Sequence, residues 1–193
     1  MKNLEKFNII LASGSPRRQQ FLKDLNIPFE VRLKNIEEVF PESLYKEEIP
    51  EYLAKLKASA YEDLKDNDIL VTGDTIVWHN EKALNKAESE QEAFDMISSL
   101  QNSWHQVISA FCIKSKHKTI VKSDVTEVFF KPLDEDDIWY YIKHYKPFDK
   151  AGAYGIQEWI GQIGISEIKG SYFNVMGFST HLFYQTLKEL VKT

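Results

Sequence analysis

Two adjacent arginines lie in the first turn of a predicted helix. In LASGSPRR, residues 11–18, Ser15 is a favoured N-cap and Pro16 a favoured first helical residue. A helix N-terminus carries a partial positive charge, so Arg17 and Arg18 each cost about 0.3–1 kcal/mol there. A strand-to-helix turn with free N–H groups and two guanidinium groups can bind phosphate bidentately. The segment therefore predicts an anion site, and a polyphosphate is the ligand we expect, although GK[ST] of the P-loop is absent.

A carboxylate lies inside a long predicted strand. The run DILVTGDTIVWH, residues 68–79, is β-prone, and Asp is depleted in strand interiors. Alternation puts Asp74 on the same face as Leu70 and Ile76, where a carboxylate needs a partner, a metal or a raised pKa. Gly73 allows a bulge or the close approach of a ligand. The alternative is a strand end at which Asp74 faces water or caps a turn.

A lysine lies on the apolar stripe of a predicted helix. Pro50 begins this helix, which extends to about Leu64. Lys57 shares its stripe with Leu53 and Ala60, because it is four residues after the first and three before the second. Such a lysine either extends its ammonium into water or places it on an anion. The sequence leaves both open.

Other polar residues lie in predicted loops. Glu37 and Glu38 occur in NIEEVFPE, where acidic side chains are usually solvated. The segment AGAYGIQ, residues 151–157, ends in Gln157 and is either a simple turn or a backbone–ligand contact. Lys86, in ALNKAE, is unremarkable by itself. If the carboxylates act beside bound phosphates, Mg²⁺ is the expected ion because it prefers oxygen ligands.

The composition is that of a globular chain without a nucleic-acid or membrane partner. With 193 residues and a net charge of −5, it lacks the broad basic face expected for duplex DNA binding. No apolar run reaches the roughly 18 residues of a membrane span, and no signal-peptide core precedes the first strand. The one cysteine, Cys112, cannot form an internal disulfide, so we expect a packed core thiol in a reducing cytoplasm. The length suits one domain of two lobes or two small domains, and leaves monomer and homodimer open.

The patterns predict a mixed α/β chain. Strands are expected at about 7–11, 29–33 and 68–79, and helices at about 16–25, 50–64, 89–101, 134–145 and 179–192. The runs WHQVISAFCIKS and TIVKSDVTEVFF, joined by KHK, predict a long antiparallel hairpin, and HNEK at 79–82 predicts a turn. No Gly/Ser-rich or Pro-rich linker marks a domain boundary.

Eight segments in this order resemble the Maf family of nucleoside triphosphate pyrophosphatases. They are LASGSPRRQQFL, IEEV, LAKLKA, GDTIV, LNK, the SWHQVISA…TEVFF hairpin, DKAGAYGIQ and GSYFNVMGF. The resemblance implies one domain over residues 1–193, with a two-lobed mixed-sheet α/β fold around a cleft, similar to inosine triphosphate pyrophosphatase-like proteins. It also implies cleavage of a nucleoside triphosphate to the monophosphate and pyrophosphate, with a divalent cation such as Mg²⁺ or Mn²⁺.

By position, the resemblance assigns roles along the chain. Asp74 matches the family's proton acceptor, which either orients or deprotonates the attacking water or binds the cation together with Glu38. Lys86 is expected to assist these two carboxylates in catalysis. The implied substrate-binding residues are Ser13, Arg17, Arg18, Lys57, Thr75 and Gln157.

The motifs SPRR, DT and YGIQ resemble the subgroup that prefers dTTP and UTP over 7-methyl-GTP. There are two departures. Ala87 stands where the family usually has Pro, which would loosen the loop of Lys86, and Glu158 stands where Gly is usual, which would change backbone freedom beside the base. Two alternative functions are compatible with these motifs: a purine or modified-nucleotide house-cleaning pyrophosphatase, and a nucleotide-binding regulator of septum formation with little catalysis.

Overall fold

Helices and strands alternate in the first part of the chain, as the sequence predicts. A computed structural model describes residues 3–192. In chain order the elements are a short 3₁₀ helix at Leu4–Lys6, β1 (Asn8–Leu11), α1 (Pro16–Asp24), β2 (Glu30–Val31), α2 (Glu48–Ser59), β3 (Asp68–His79), β4 (Lys82–Leu84), α3 (Glu90–Leu100), β5 (Ser103–Lys114), β6 (Thr119–Phe130), α4 (Glu135–Tyr145), α5 (Trp159–Gly164), β7 (Ile165–Lys169), α6 (Tyr172–Val175) and α7 (Thr180–Leu190). Among these residues no helix is long and apolar enough to cross a bilayer.

The seven strands pair into a mixed sheet in the order β2-β1-β3-β5-β6-β7, with β4 attached to β3. β1 is parallel to β2 and β3, whereas β4 is antiparallel to β3 and β7 to β6. The predicted turn between β3 and β4 is confirmed, and Asn80 and Glu81 hold the positive φ angles of 48° and 58° that tight hairpins use. The loop between β5 and β6 is closed by a hydrogen bond from Ser115 N–H to Lys118 O, as the long hairpin requires.

The chain divides into two compact units, although no linker separates them in sequence. Within the described residues, unit 1 comprises the chain up to Asp74, Ser109–Asp124 and the segment from Gly177 onward. Unit 2 comprises Thr75–Ile108 and Val125–Met176. The strands β3, β5 and β6 each contribute residues to both units, which is why composition gives no sign of a boundary.

Unit 1 packs α2 against the apolar faces of β1 and β3. Its core includes Ile10, Ala54, Tyr61 and Leu70, together with Cys112. Burial raises the pKa of the Cys112 thiol to about 11, so the predicted packed thiol is confirmed and is poorly suited to nucleophilic attack. A second cluster packs together the aromatic rings of Phe21, Phe111, Phe178 and Phe183 in stacked, tilted and edge-on contacts.

Unit 2 has its own core, built mainly from α3, α4 and the strands of this unit. Fully buried members include Ile97, Leu100, Phe130, Ile138 and Ile142. Two buried tyrosines, Tyr141 and Tyr154, belong to the same core and place their hydroxyl groups inside it.

Three predicted elements differ from the structure. The strand expected over 29–33 is reduced to β2, because this edge strand pairs only with Ile10 and Leu11. The helix expected over 50–64 runs instead over Glu48–Ser59, because the chain turns after it to bury Tyr61, whose hydroxyl donates to Arg32 O. The short elements α5, β7 and α6 were not predicted, and the glycine-rich sequence around them gives little periodicity.

Candidate active site

Asp74 is buried, as its position on an apolar face of strand β3 predicts. Only 8% of the residue is exposed, and its Oδ1 accepts a hydrogen bond from the Lys57 ammonium at 2.7 Å. Burial raises the pKa of the Asp74 carboxyl, and the charges of Lys57 and Arg18 only partly oppose that rise. The alternative of a strand-end aspartate facing water is therefore wrong.

Lys57 binds two carboxylates at once. Besides Asp74, its Nζ lies 3.0 Å from Oε2 of Glu38 and donates to Gly73 O at 3.5 Å. Its side chain is 14% exposed, so the ammonium is placed on anions rather than extended into water. Glu38 belongs to the exposed loop after β2 and remains half accessible while it makes this contact.

Arg18 is held by two backbone carbonyls in unit 1. Its Nη1 donates to Gly73 O at 2.8 Å and its Nε donates to Gly177 O at 3.1 Å. Burial lowers the pKa of Arg18, and the charge of Asp74 opposes this. Gly73 suits this position, because a Cβ would be in tight contact with Ala110 O at 3.0 Å and would touch the guanidinium at 3.6 Å. The sequence predicted a bulge or the close approach of a ligand at Gly73, whereas the groups that lie next to it in the structure are Ala110 O and the Arg18 guanidinium.

The start of α1 has the predicted capping. Ser15 caps the helix by accepting from Arg18 N–H, and Pro16 lies in the first turn. Ser13, 8% exposed, accepts a hydrogen bond from Ser15 N–H at 3.3 Å. Arg17 is half-buried in the same turn, and its charge contributes to the lowered pKa of Arg18. The helix therefore presents the two cations at the end where an anion is favoured.

The remaining predicted site residues belong to unit 2. Thr75 follows Asp74 directly in β3. The side chain of Lys86 is exposed, but its backbone pairs with Ala151 in an isolated antiparallel β-bridge. The neighbouring Asn85 O accepts a hydrogen bond from Gly152 N–H. Ala87, expected to loosen this loop, is 4% exposed and packs into the core of unit 2.

Gln157 has an unusual environment within unit 2. Its Oε1 is buried and has no hydrogen-bond partner among the described residues. A buried acceptor without a donor costs about 1–3 kcal/mol, so such an atom is a candidate for a contact with a ligand. Gly152 and Ala153, both with positive φ, form the preceding turn of the same loop.

A family model described as "Maf-like protein" matches residues 8–190. This chain belongs to the Maf family. The match runs through segments of both units, and it confirms the resemblance carried by the eight motifs.

Close relatives share the family and most of the length. A Flavobacterium johnsoniae protein named dTTP/UTP pyrophosphatase is 53% identical over 191 residues, covering 98% of each chain. Proteins of the same name from Flavobacterium psychrophilum and Bacteroides fragilis are 55% and 45% identical. They cover 95% and 98% of this chain and 94% and 100% of their own.

Solved structures give the fold. The Ham1 proteins of Staphylococcus aureus and Coxiella burnetii superpose with TM-scores of 0.54 and 0.51 at 16% and 13% identity. Each match covers 95% of this chain and 99% of the Ham1 chain. The mixed α/β fold predicted for this Maf family member is confirmed.

The structure thus brings together four of the predicted residues, all in unit 1: Arg18, Glu38, Lys57 and Asp74. Lys86 and Gln157 lie on separate segments of unit 2. That Gly73 and Gly177 supply carbonyls to Arg18 could not be predicted from the sequence, since every residue has a carbonyl.

The two carboxylates, Glu38 and Asp74, are also oxygen ligands of the kind that a divalent cation prefers. Glu38 and Asp74 converge on one ammonium, so their oxygens are close enough to share one positive charge. Mg²⁺ typically takes one or two carboxylates and completes its shell with phosphate and water oxygens. The donor set therefore fits, although no cluster of three or more His, Cys, Asp or Glu was found in residues 3–192.

Proposed function

We propose that this chain hydrolyses nucleoside triphosphates, dTTP and UTP in preference, to the nucleoside monophosphate and pyrophosphate. The observation that carries the proposal is the cluster in unit 1, where a buried aspartate with a raised pKa lies beside Lys57, Glu38 and Arg18. Relatives of 45–55% identity that carry the name dTTP/UTP pyrophosphatase support it.

The reaction we propose is attack of water on the α-phosphorus. The bond from this phosphorus to the bridging oxygen breaks, and pyrophosphate leaves with that oxygen. Such chemistry depends on positioning and on neutralising charge more than on covalent help from the protein. Asp74 is suited to orient the water and accept its proton, because a carboxyl pKa raised by burial lies nearer the working pH.

Cationic groups bind the triphosphate in this proposal. Arg17 and Arg18, with the N–H groups at the start of α1, receive phosphate oxygens, and Ser13 lies in the preceding loop. Lys57 and Lys86 neutralise the charge that develops on the leaving pyrophosphate.

Asp74 has an alternative role in this proposal: instead of accepting the proton of the water, it would hold a divalent cation, Mg²⁺ or Mn²⁺, together with Glu38. When bound, the cation supplies Lewis-acid neutralisation of phosphate charge. The Lys57 ammonium contacts both carboxylates and balances part of their charge.

Thr75 and Gln157 are proposed to contact the base. The N3–H of uracil or thymine is a donor that the buried Gln157 Oε1 could accept, and the Gln157 amide could donate to O4. A purine presents a different edge, which would leave this polar group unpaired.

The proposal places the chain in the cytoplasm with nucleotides, rather than nucleic acids or membranes, as partners. A homodimer remains a hypothesis that gel filtration with light scattering would test.

The decisive experiment is a panel of dTTP, UTP, CTP, dATP, GTP and 7-methyl-GTP with Mg²⁺ or Mn²⁺, with pyrophosphate as the detected product. We expect kcat/KM to be highest for dTTP and UTP. A purine nucleotide at the top would instead indicate a house-cleaning pyrophosphatase. Tight nucleotide binding without turnover would indicate a regulator, and release of orthophosphate alone would refute cleavage at the α-phosphorus.

A further inference from the structure

The residue after Gln157 is held by a charged network inside unit 2. Oε1 of Glu158 lies 3.1 Å from Nζ of Lys150, and Oε2 accepts a hydrogen bond from the Tyr141 hydroxyl. The Lys150 ammonium also lies 2.7 Å from Oδ1 of Asp149. The side chains of Lys150 and Glu158 are only 9% and 20% exposed, so both oxygens of the carboxylate are fixed in a poorly solvated place.

Tyr141 joins this carboxylate to the backbone of the Gln157 turn. Its hydroxyl oxygen accepts from Gly155 N–H at 3.0 Å while its proton is donated to Glu158. Burial, together with Glu158, raises the pKa of Tyr141, so the hydroxyl remains a donor. The N–H of Glu158 also donates to Gly155 O at 3.0 Å. Residues 155 and 158 are thus linked by the backbone and through the tyrosine.

Gly155 is the point at which Glu158 and Gln157 meet. A Cβ on this glycine would lie 2.8 Å from Cδ of Glu158 and 3.1 Å from Nε2 of Gln157. The carboxylate and the amide therefore pack over the same glycine, and the position of one limits the space open to the other. The free acceptor in this arrangement is the buried Oε1 of Gln157.

We infer that Glu158 is a positioning residue for base selection: through Tyr141 and Lys150 it fixes the Gly155–Glu158 turn and thereby orients the Gln157 amide. This inference rests on the proposed function. It also gives a structural role to the glutamate that stands where the family usually has glycine. Glu158 itself does not contact the reacting atoms.

The test compares Glu158→Ala, Glu158→Gln and Tyr141→Phe with the wild type, and uses Glu167→Ala in the exposed strand β7 as the matched control. The measured quantity is the ratio of kcat/KM for dTTP to that for dGTP in one preparation. This ratio does not depend on the folded fraction, so a destabilised variant still gives an answer. Values of KM and kcat are recorded separately.

We expect the ratio to fall by about tenfold in Glu158→Ala, mainly through a higher KM for dTTP, since displacing a positioned group by about 1 Å is costly. Tyr141→Phe should change it in the same direction. Glu158→Gln should retain most of it, because an amide oxygen still accepts from Tyr141. A wild-type ratio in both Glu158→Ala and Tyr141→Phe would overturn the inference alone, as would an equal fall in Glu167→Ala. A wild type that does not cleave dTTP would overturn the proposed function and this inference together.

Discussion

The Lys57 ammonium lies 2.7 Å from Oδ1 of Asp74, and the same nitrogen lies 3.0 Å from Oε2 of Glu38. One cation from α2 therefore balances a buried carboxylate of β3 and a half-exposed one from a loop. The Lys57–Asp74 pair is buried, and removing one partner of a buried ion pair typically costs about 3–5 kcal/mol of stability. Informative variants must therefore separate the chemistry of the cluster from its contribution to stability.

Asp74→Asn should abolish most turnover while the fold is retained. The amide oxygen still accepts from Lys57, but it cannot take a proton, so the rate should fall by at least ~10²-fold. The measurement is kcat for dTTP together with the thermal unfolding midpoint. Asp68→Asn is a matched control, because Asp68 is also buried in β3 but accepts from Asn8 and Lys65. That variant should lose stability and keep its kcat within about threefold. Near-wild-type turnover by folded Asp74→Asn would remove Asp74 from the mechanism.

The two arginines should respond differently to substitution. From the sequence, replacing both by Glu is expected to stabilise the start of α1. For Arg18 the structure reverses this expectation, because its hydrogen bonds to Gly73 O and Gly177 O would be lost.

Arg17→Glu should raise the free energy of unfolding by about 0.3–1 kcal/mol and weaken dTTP binding. Arg18→Glu should lower both stability and binding. Urea unfolding and calorimetric titration measure the two effects. Lys23→Glu, at the opposite end of α1, serves as the control and should lower stability without changing affinity. Normal dTTP binding by both arginine variants would contradict the phosphate site.

Lys57→Met should increase the affinity for Mn²⁺ in the absence of nucleotide. Without the ammonium, Arg18 is the cation whose charge still acts on Asp74. At a pH at which both carboxyls are ionised, Glu38 and Asp74 should therefore attract Mn²⁺ more strongly, and we expect about tenfold tighter binding, equivalent to about 1.4 kcal/mol. The measurement is paramagnetic relaxation or calorimetry at low temperature, where the destabilised variant stays folded. Lys55→Met is the control, since Lys55 is an exposed lysine on the same helix. Equal Mn²⁺ affinity in wild type and Lys57→Met would contradict a cation site at these carboxylates.

His105 should make unit 2 sensitive to acid. Burial lowers its pKa from 6.5 to about 3, and His79 adds to the effect, while Nε2 is hydrogen-bonded to the Tyr154 hydroxyl at 2.7 Å. Between these two pH values the unfolded chain binds a proton that the folded chain does not. Stability contributed by this group therefore rises with pH over this window, by about 1.4 kcal/mol per pH unit.

The measurement is urea unfolding at pH 7, 5.5 and 4.5 for wild type and His105→Gln. The variant should show a shallower loss of stability toward low pH. His117→Gln, which changes an exposed histidine, should follow the wild type. An unchanged pH slope in His105→Gln would show that His105 is not the titrating group.

Gln157→Ala should narrow the preference for pyrimidine nucleotides. If the buried Oε1 accepts from N3–H, its loss should reduce kcat/KM for dTTP and UTP by about tenfold or more and change the values for dATP and GTP much less. The panel described above provides the measurement. Gln162→Ala, on the exposed side of α5, is the matched control. A uniform loss across all nucleotides would assign Gln157 to the phosphates or to the turn rather than to the base.

Conformational preferences of neighbouring residues determined many of the helix ends, strands and turns of this chain. The cap and proline at Ser15 and Pro16, the long strand through Asp74 and the hairpin turn at Asn80 and Glu81 follow from preferences that act within a few residues. The family motifs also depend on local residue order, so they indicated the mixed α/β fold and the candidate residues. Burial of Asp74 could be suspected because a carboxylate on an apolar strand face needs a partner.

Tertiary structure alone decided which partner each group has. Lys57 reaches Asp74 across 17 positions of sequence, and Arg18 reaches Gly177 across 159. Neither pairing leaves a pattern in the sequence, because a carbonyl or a carboxylate becomes a partner only when packing removes water from around it. The same holds for Tyr141 and Glu158, and for the end of α2 at Ser59, where burying Tyr61 outweighs continuing the helix. The sequence determined which chemical groups are present, and the long-range packing determined which of them are desolvated together, and hence which can act together.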